Sequence, residues 1–144
     1  MRYTLARFGK IMFERWHAAP VSGDLREILD AFAVARKEAG GELVVIEVIS
    51  ADASPPDAQA IRAAIQGIRR LRYLRSLHLV VIEGDSVKRA LIRGVFSTIA
   101  FALGEAATMC PTVEEAVARA CEVTGQDPAA LLREIGAAGL LESA

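Results

Sequence analysis

Hydrophobic and polar residues recur with two different periods along the chain, and the change of period separates strands from helices. Residues 2–8 and 11–16 alternate with a period of two, and Gly9-Lys10 lies between them. A two-residue loop that begins with glycine suits a type II′ turn, because glycine takes a positive φ at low cost. The chain is therefore predicted to open with a β-hairpin.

Two later segments are nearly continuous runs of Val, Ile and Leu. Residues 43–49 read LVVIEVI, and residues 77–83 read LHLVVIE. Such runs are typical of strands that are covered on both faces, as in a parallel sheet. Glu47 interrupts the first run, and His78 lies inside the second. A short final strand is predicted for residues 106–110.

Segments with apolar residues three and four positions apart lie between these strands and predict helices. Asp24 is predicted to cap the first helix, which ends at Gly40-Gly41. Ser54 is predicted to cap the second helix, with Pro55 as its first residue. The predicted helices cover about 24–40, 55–74, 86–103, 112–124 and a last segment from 128 onward.

The order of these elements predicts an α/β fold. Strands that alternate with helices imply crossover connections and a largely parallel sheet, and the opening hairpin adds an antiparallel pair. We expect a mixed sheet of about five strands with helices packed around it. Residues 1–124 are predicted to form this domain, and residues 125–144 a C-terminal helical extension packed on or beside it.

Composition narrows the classes of protein to be considered. The chain has 144 residues, 53% hydrophobic and 6% aromatic, with a formal net charge of −1, which gives no general attraction to nucleic acid or anionic membranes. No apolar run approaches the roughly 20 residues of a membrane span, and no secretory signal opens the chain. Cys110 and Cys121 show no metal or redox spacing, so we expect two buried thiols in a cytoplasmic protein.

The segment 43–54, LVVIEVISADAS, resembles the strand and loop at the centre of STAS domains (sulfate transporter and anti-sigma factor antagonist) and their bacterial STAS-like relatives. Glu47 matches the acidic residue inside the family's strand, and Asp52 matches the acid of the loop. Residues 112–120 are also similar to the family's last helix. The resemblance implies a non-catalytic regulatory or scaffolding module in signalling, whose partner is a regulator, a kinase-like protein or a second copy.

The helix start departs from the family pattern. Ala53 stands where phosphorylated members carry the modified serine, and Pro55-Pro56-Asp57 replaces Gly-Leu-Gly. A phosphorylation switch would have to use Ser54. Ser54 is more simply interpreted as a helix cap without phosphorylation. The two prolines remove amides that could bind a phosphate, and Asp57 repels an anion.

No set of residues indicates catalysis, a metal or a cofactor. His17 and His78 are the only histidines, and a structural role is expected for His78 inside its strand. Residues 83–86, EGDS, follow a strand, where open α/β sheets usually bind ligands, but they lack a phosphate-binding glycine motif. From the sequence we therefore expect a protein that is not an enzyme and that binds neither a metal nor a cofactor.

Two surfaces are candidates for contacts with partners. The first surface consists of polar and charged residues around the second helix. The alternative interpretation is that these residues form an ordinary solvated face with no partner. It comprises Asp52, Ser54, Asp57, Arg62, Arg69 and Arg72. The second lies in the uncharged segment 94–104, which is predicted to be covered either by the terminal helix, the favoured alternative, or by a second subunit. Its candidate contact residues are Val95, Phe96, Ile99 and Phe101.

A second class of function remains open beside the interaction module. The excess of aliphatic residues is also typical of a domain that binds a small molecule or a lipid. Its ligand would lie near the strand-end loops 50–54 and 83–86. A large apolar pocket with converging polar groups would favour this alternative.

Overall fold

The computed structural model describes residues 2–71, 75–104 and 107–141, and it shows the predicted α/β architecture. The strands are β1 Tyr3–Phe8, β2 Ile11–Trp16, β3 Leu43–Ile49, β4 Arg75–Ile82 and β5 Thr108–Cys110. The helices are α1 Ser22–Ala39, α2 Ala58–Leu71, α3 Ser86–Leu103, α4 Val113–Thr124 and α5 Pro128–Ala137. The described segments contain no helix with both the length and the apolar character that crossing a bilayer requires.

The five strands form one mixed sheet whose spatial order is the same as their order in the chain. β1 is antiparallel to β2, and β2 to β5 are parallel to one another. The two Val- and Ile-rich strands, β3 and β4, are neighbours, with Val45 opposite His78. The predicted pairing at the centre of the sheet is therefore confirmed.

This strand order determines which helices cover which face. Each of the three parallel crossovers moves one strand further in the same direction, so connections of the same hand place α1, α2 and α3 on one face. Residues of these helices pack against Val45, Val80 and Ile82 of the sheet. The other face packs against α4 and α5, and that core includes Leu131, Ile135 and Leu140 of the C-terminal segment.

The helix starts at α1 and α2 differ from the prediction. α1 begins at Ser22, so Asp24 lies in its first turn instead of capping it, and its carboxylate accepts the amide hydrogen of Val21 at 3.1 Å. α2 begins at Ala58 and not at Pro55, and Asp57 accepts the amide hydrogen of Ala60 at 2.8 Å. Consecutive prolines disfavour the helical conformation in the residue before each of them, so the helix forms only beyond them.

Other predicted boundaries are confirmed. Gly9 has a φ of 63°, as its hairpin turn requires, and Gly40 ends α1 with a φ of 72°. The hydroxyl of Thr112 accepts the Glu115 amide hydrogen at the start of α4. The first residue of the predicted final strand, 106, and residues 72–74 at the end of the predicted second helix lie outside the described residues, and Ala107 precedes β5, which begins at Thr108.

The terminal helix does not cover the uncharged segment 94–104, most of which lies in α3, contrary to the favoured prediction. α5 packs with α4 in the core on one face of the sheet, whereas Ile92 of α3 packs against Val80 and Ile82 on the other face. The reason is topological. α3 connects the parallel strands β4 and β5 on one face of the sheet, whereas α5 follows α4, which packs on the opposite face.

Candidate functional site

Three ionisable side chains meet on the three central strands of the sheet. Glu14 of β2 lies directly opposite Glu47 of β3, and His78 of β4 lies opposite Val45, two residues before Glu47. Because side chains alternate between faces along a strand, all three belong to the face covered by α1, α2 and α3. We call Glu14, Glu47 and His78 the strand triad.

The strand triad is compact and buried. His78 Nε2 lies 2.7 Å from Glu47 Oε1. One carboxylate oxygen of each glutamate and one ring nitrogen of His78 all lie within 4.8 Å of one another. Glu14 is 5% exposed, His78 is 7% exposed and the side chain of Glu47 is 12% exposed. The triad is thus one cluster of potential metal ligands or hydrogen-bonding groups inside the domain.

A cavity of about 80 Å³ lies between the strand triad and the helices. Among the described residues that line it, the triad supplies the ionisable groups, and most of the remaining walls are aliphatic or aromatic. The helical wall is formed by Leu25, Ile28 and Phe32 of α1, Ala60, Ile61, Ala64 and Ile68 of α2, and Ile92, Val95, Phe96 and Ile99 of α3. The site therefore combines apolar walls with a polar floor.

Two aromatic side chains border the polar floor. Trp16, the only tryptophan of the chain, lines the cavity at the end of β2. The rings of His78 and Phe96 meet edge to face, with centroids 6.4 Å apart. This contact packs α3 against the triad histidine, so the position of the helix and that of the imidazole depend on each other.

The strand-end loops named in the sequence analysis hold structural contacts. On the opposite face from the cavity, Arg15 is buried and donates to the Leu140 carbonyl at 2.7 Å, to Ser50 Oγ at 3.0 Å and to Glu83. Lys88 donates to the carbonyl oxygens of Ser50 and Ala51 at 2.6 and 2.5 Å. These bonds tie the two loops to the sheet and to the C-terminal segment.

The cavity reaches only part of the predicted ligand region. It is lined by Ala53 and Ser54 at the end of the first loop, whereas no residue of the second loop, 83–86, lines it. The cavity therefore extends from the middle of the sheet, at Glu47 and His78, to the ends of β2 and β3, at Trp16 and Ile49.

The charged surface predicted from the sequence is exposed in its described part. Asp52, Ser54 and Asp57 are exposed in the connection between β3 and α2, and Arg62 and Arg69 are exposed on α2. Arg72 lies outside the described residues. Ser54 precedes the helix by several residues, and Asp57 occupies the cap, so the free helix amides that would favour a phosphate are not next to Ser54.

The predicted subunit contact divides into two groups. Val95, Phe96 and Ile99 face inward and line the cavity. Phe101 points away from the domain and is 93% exposed. Only Phe101 of these four residues thus offers its whole side chain to a second molecule.

Sequence reasoning missed Glu14 as a site residue. The signal for Glu14 in the sequence is a charged residue within a predicted strand that also contains Phe13 and Trp16, which are large and apolar. That signal indicates a buried carboxylate only once β2 is known to lie inside the sheet. The predicted hairpin pairs β2 with β1 but does not determine which strand lies on the other side of β2. Glu14 could therefore not be distinguished from a solvent-facing residue.

The two cysteines lie apart from this site. Both are free and buried in the core next to α4 and α5. Burial raises the pKa of the Cys110 thiol and of the Cys121 thiol above the ordinary value, which lowers their reactivity as nucleophiles. Their predicted role as small buried side chains agrees with this environment.

The comparisons with known proteins add no family to these observations. No protein-family model, no curated protein and no solved structure matches the chain significantly. The class of protein is therefore defined by the fold and the site alone: an α/β domain with a mixed five-stranded sheet and a polar cluster beneath an apolar cavity.

Proposed function

We propose that this domain binds a small molecule in the cavity above the strand triad and that it acts by binding rather than by catalysis. The observation that carries the proposal is the placement of Glu14, Glu47 and His78 at the floor of an otherwise apolar cavity. Ligand sites are typically apolar concavities with a few converging polar groups that orient the ligand. The apolar part of the ligand would contact α1, α2 and α3.

The size of the cavity limits the ligand. Its volume is about 80 Å³, roughly half that of an engineered protein cavity of about 150 Å³ that takes up benzene. A ligand of a few heavy atoms fits without a change in the protein, and a longer chain would extend between the helices. The proposal therefore concerns a short aliphatic group with a polar end directed at the triad.

Trp16 provides a direct experiment, because the single tryptophan lines the cavity. Its fluorescence is titrated with 1-butanol, butylamine and butyrate, which share a four-carbon body and differ in the polar end. We expect at least one of them to give a saturable change in the natural protein. Ala64→Leu adds three carbon atoms to the cavity wall and should abolish that change.

The matched control is Ala90→Leu, which makes the same substitution at an exposed position of α3. It should bind the four-carbon probe as the natural protein does. No saturable change with any of the three probes, or equal binding by the Ala64→Leu protein, would overturn the proposal.

A second candidate function is the regulatory or scaffolding module that the STAS-like resemblance implies. The observation that favours it is an exposed apolar stripe on α3: Val87, Leu91 and Phe101 are all exposed, and helical geometry places them on one side of α3. A second copy of the chain is the proposed partner of this stripe, which was the less favoured alternative in the sequence analysis.

Light scattering coupled to size exclusion tests this second candidate over a range of protein concentrations. Phe101→Ser should shift the protein from dimer to monomer. The control is Val123→Ser, which replaces another exposed hydrophobic residue, on α4, and should not change the oligomeric state. A monomer at every concentration would contradict this candidate. Intact-mass analysis of the natural protein and of Ser54→Ala would separately show whether Ser54 is phosphorylated.

A further inference from the structure

The strand triad brings two carboxylates and one imidazole together on one face of the sheet. Glu14 and Glu47 are side by side in register on adjacent strands, and their carboxylates share the floor of a largely apolar cavity. Two ionised carboxylates so close together repel each other, and low surrounding polarity strengthens the repulsion. A bound cation is attracted to both carboxylates and lowers this repulsion.

The third member of the triad favours a particular kind of cation. His78 Nε2 lies 2.7 Å from Glu47 Oε1, and one oxygen of each carboxylate and one imidazole nitrogen lie within 4.8 Å of one another. Imidazole is a common ligand of Zn²⁺, Fe²⁺, Co²⁺ and other first-row divalent ions, whereas Mg²⁺ and Ca²⁺ prefer oxygen ligands alone. An ammonium group needs hydrogen-bond acceptors but no imidazole nitrogen.

The distances suit a metal ion after a small adjustment. Bonds from Zn²⁺ to His nitrogen and to carboxylate oxygen are about 2.0–2.2 Å, so two ligand atoms on opposite sides of an ion would be at most roughly 4.4 Å apart. The ligand atoms of the triad lie within 4.8 Å of one another. All three residues lie on neighbouring hydrogen-bonded strands, so metal binding would require side-chain rotations that lengthen the 2.7 Å contact between His78 and Glu47 and shorten the widest separation.

We propose that Glu14, Glu47 and His78 together bind one divalent first-row transition-metal ion at the floor of the cavity. The proposal deepens the ligand-binding function and rests on the same cavity being a site. Three protein ligands leave coordination positions open, and the apolar cavity lies beside the triad. A ligand that coordinates the ion through a carboxylate or another anionic group would occupy that space with its aliphatic part.

Metal uptake displaces the hydrogen between two members of the strand triad. The ion takes the place of the hydrogen that lies between His78 Nε2 and Glu47 Oε1: an imidazolium or a carboxylic acid releases one proton to solvent, whereas a neutral imidazole keeps its one hydrogen on Nδ1. Two carboxylates and a neutral imidazole then balance the two positive charges of the ion. No oxidation or reduction is involved.

The test is titration of chelator-stripped full-length protein with Co²⁺, followed by its visible absorption, and competition of the bound Co²⁺ by Zn²⁺. We expect one ion per chain. Glu14→Gln, Glu47→Gln and His78→Gln keep the side-chain size but remove a ligand, and each should weaken binding by roughly 100-fold or more, since even residues that only support a ligand affect affinity by about 10- to 100-fold.

His17→Gln is the matched control, because it removes the other histidine of the chain, which lies at the hairpin near Thr4. It should bind Co²⁺ as the natural protein does. Thermal unfolding of each metal-free variant shows that it is folded, and having three variants means that one unstable protein does not decide the outcome. Metal should raise the melting temperature of the natural protein and not that of Glu14→Gln.

Two results would overturn the metal proposal. The first is that the natural protein takes up no Co²⁺ or Zn²⁺ at one ion per chain, and the second is that the uptake survives both glutamate substitutions. The Ala64→Leu protein separates this proposal from the ligand proposal, because it should still bind Co²⁺ while failing to bind the four-carbon probes. Loss of only one of these two activities therefore identifies which proposal fails.

Discussion

Two adjacent residues of β2 carry opposite charges into opposite layers of the domain. Glu14 lies under α1, α2 and α3 as part of the strand triad, and Arg15 lies on the other face, next to the C-terminal segment. Both are at most 5% exposed. A buried charge is tolerated only when partners replace water, so each of these residues fixes the arrangement of its surroundings.

Arg15 should contribute strongly to stability. Its guanidinium binds the Leu140 carbonyl, Ser50 and Glu83 at once. Arg15→Met removes the cation and leaves these acceptors behind, so we expect a loss of about 3 kcal/mol in the free energy of unfolding. The loss is measured by urea denaturation.

Arg7→Met is the control for this substitution, because Arg7 pairs with Glu38 at the surface. Exposed ion pairs contribute roughly 0–1 kcal/mol, and the control should fall in that range. Equal effects at the two positions would contradict the structural role assigned to Arg15.

Asp24 should make stability depend on acidity. Its hydrogen bonds with Arg2, at 2.7 and 2.9 Å, hold the pKa of the Asp24 carboxyl below its ordinary value of 3.8, and the Val21 amide acts in the same direction against the effect of burial. The unfolded chain takes up the proton first as the pH falls. The stabilisation is therefore present above the ordinary pKa and is lost as the pH falls through the lower, folded value.

The measurement is the difference in unfolding free energy between the natural protein and Asp24→Asn at several pH values. It should be constant near neutral pH and should shrink below about pH 4. Arg2→Gln removes the same pairing and should show the same trend. A difference that grows on acidification would contradict this assignment.

At the scale of elements, the helix boundaries depend on single residues that the sequence partly identifies. Asp85, Thr112 and Asp127 each accept an amide hydrogen from the first turn of the following helix, as short polar side chains are expected to do. The start of α2 was predicted wrongly because Ser54 and Asp57 are both good caps. The two intervening prolines decide between them, and their effect on the preceding backbone outweighs the preference of proline for a first turn.

The turn between β1 and β2 should be sensitive to a single methyl group. Gly9 has a φ of 63°, and a Cβ atom there would lie 2.8 Å from Gln126 Oε1. Gln126 accepts the Lys10 amide hydrogen at 3.2 Å and donates to the Phe8 carbonyl at 3.0 Å. Gly9→Ala should therefore destabilise the domain by about 1 kcal/mol or more, as measured by thermal or urea unfolding.

Gly94→Ala makes the same chemical change inside α3, where a Cβ atom would meet nothing within 4 Å. Alanine is favoured over glycine in a helix interior by about 1 kcal/mol, so this control should stabilise the protein. If Gly9→Ala and Gly94→Ala both stabilised or both destabilised the protein, the different environments assigned to these two glycines would be contradicted.

At the scale of the whole molecule, the layers follow from strand order, and the site follows from the layers. The mixed sheet and its central pair could be predicted because β3 and β4 are long β-branched runs. The cavity could not be predicted, since it depends on how α1, α2 and α3 pack above the sheet. Glu47 was visible as an anomaly in its strand, but its neighbours Glu14 and His78 are separated from it by 33 and 31 residues in the sequence numbering.

The C-terminal segment should behave as part of the same cooperative unit. Ile135 of α5 is fully buried in the core that includes Val44 and Val81 of the sheet. Ile135→Ala should lower the free energy of unfolding by about 2–5 kcal/mol, in a single transition seen by circular dichroism. Leu91→Ala on the exposed side of α3 is the control and should cost much less; a separate early transition for Ile135→Ala would indicate that α5 unfolds independently.

The most direct measurement of the central claim is methyl NMR of the isoleucines during titration with a four-carbon probe. The natural protein should show saturable shifts at Ile61, Ile92 and Ile99, which line the cavity. Ile11 and Ile135, in the core on the other face, should stay unchanged. An absence of saturable shifts, or shifts confined to Ile11 and Ile135, would contradict a ligand site above the strand triad.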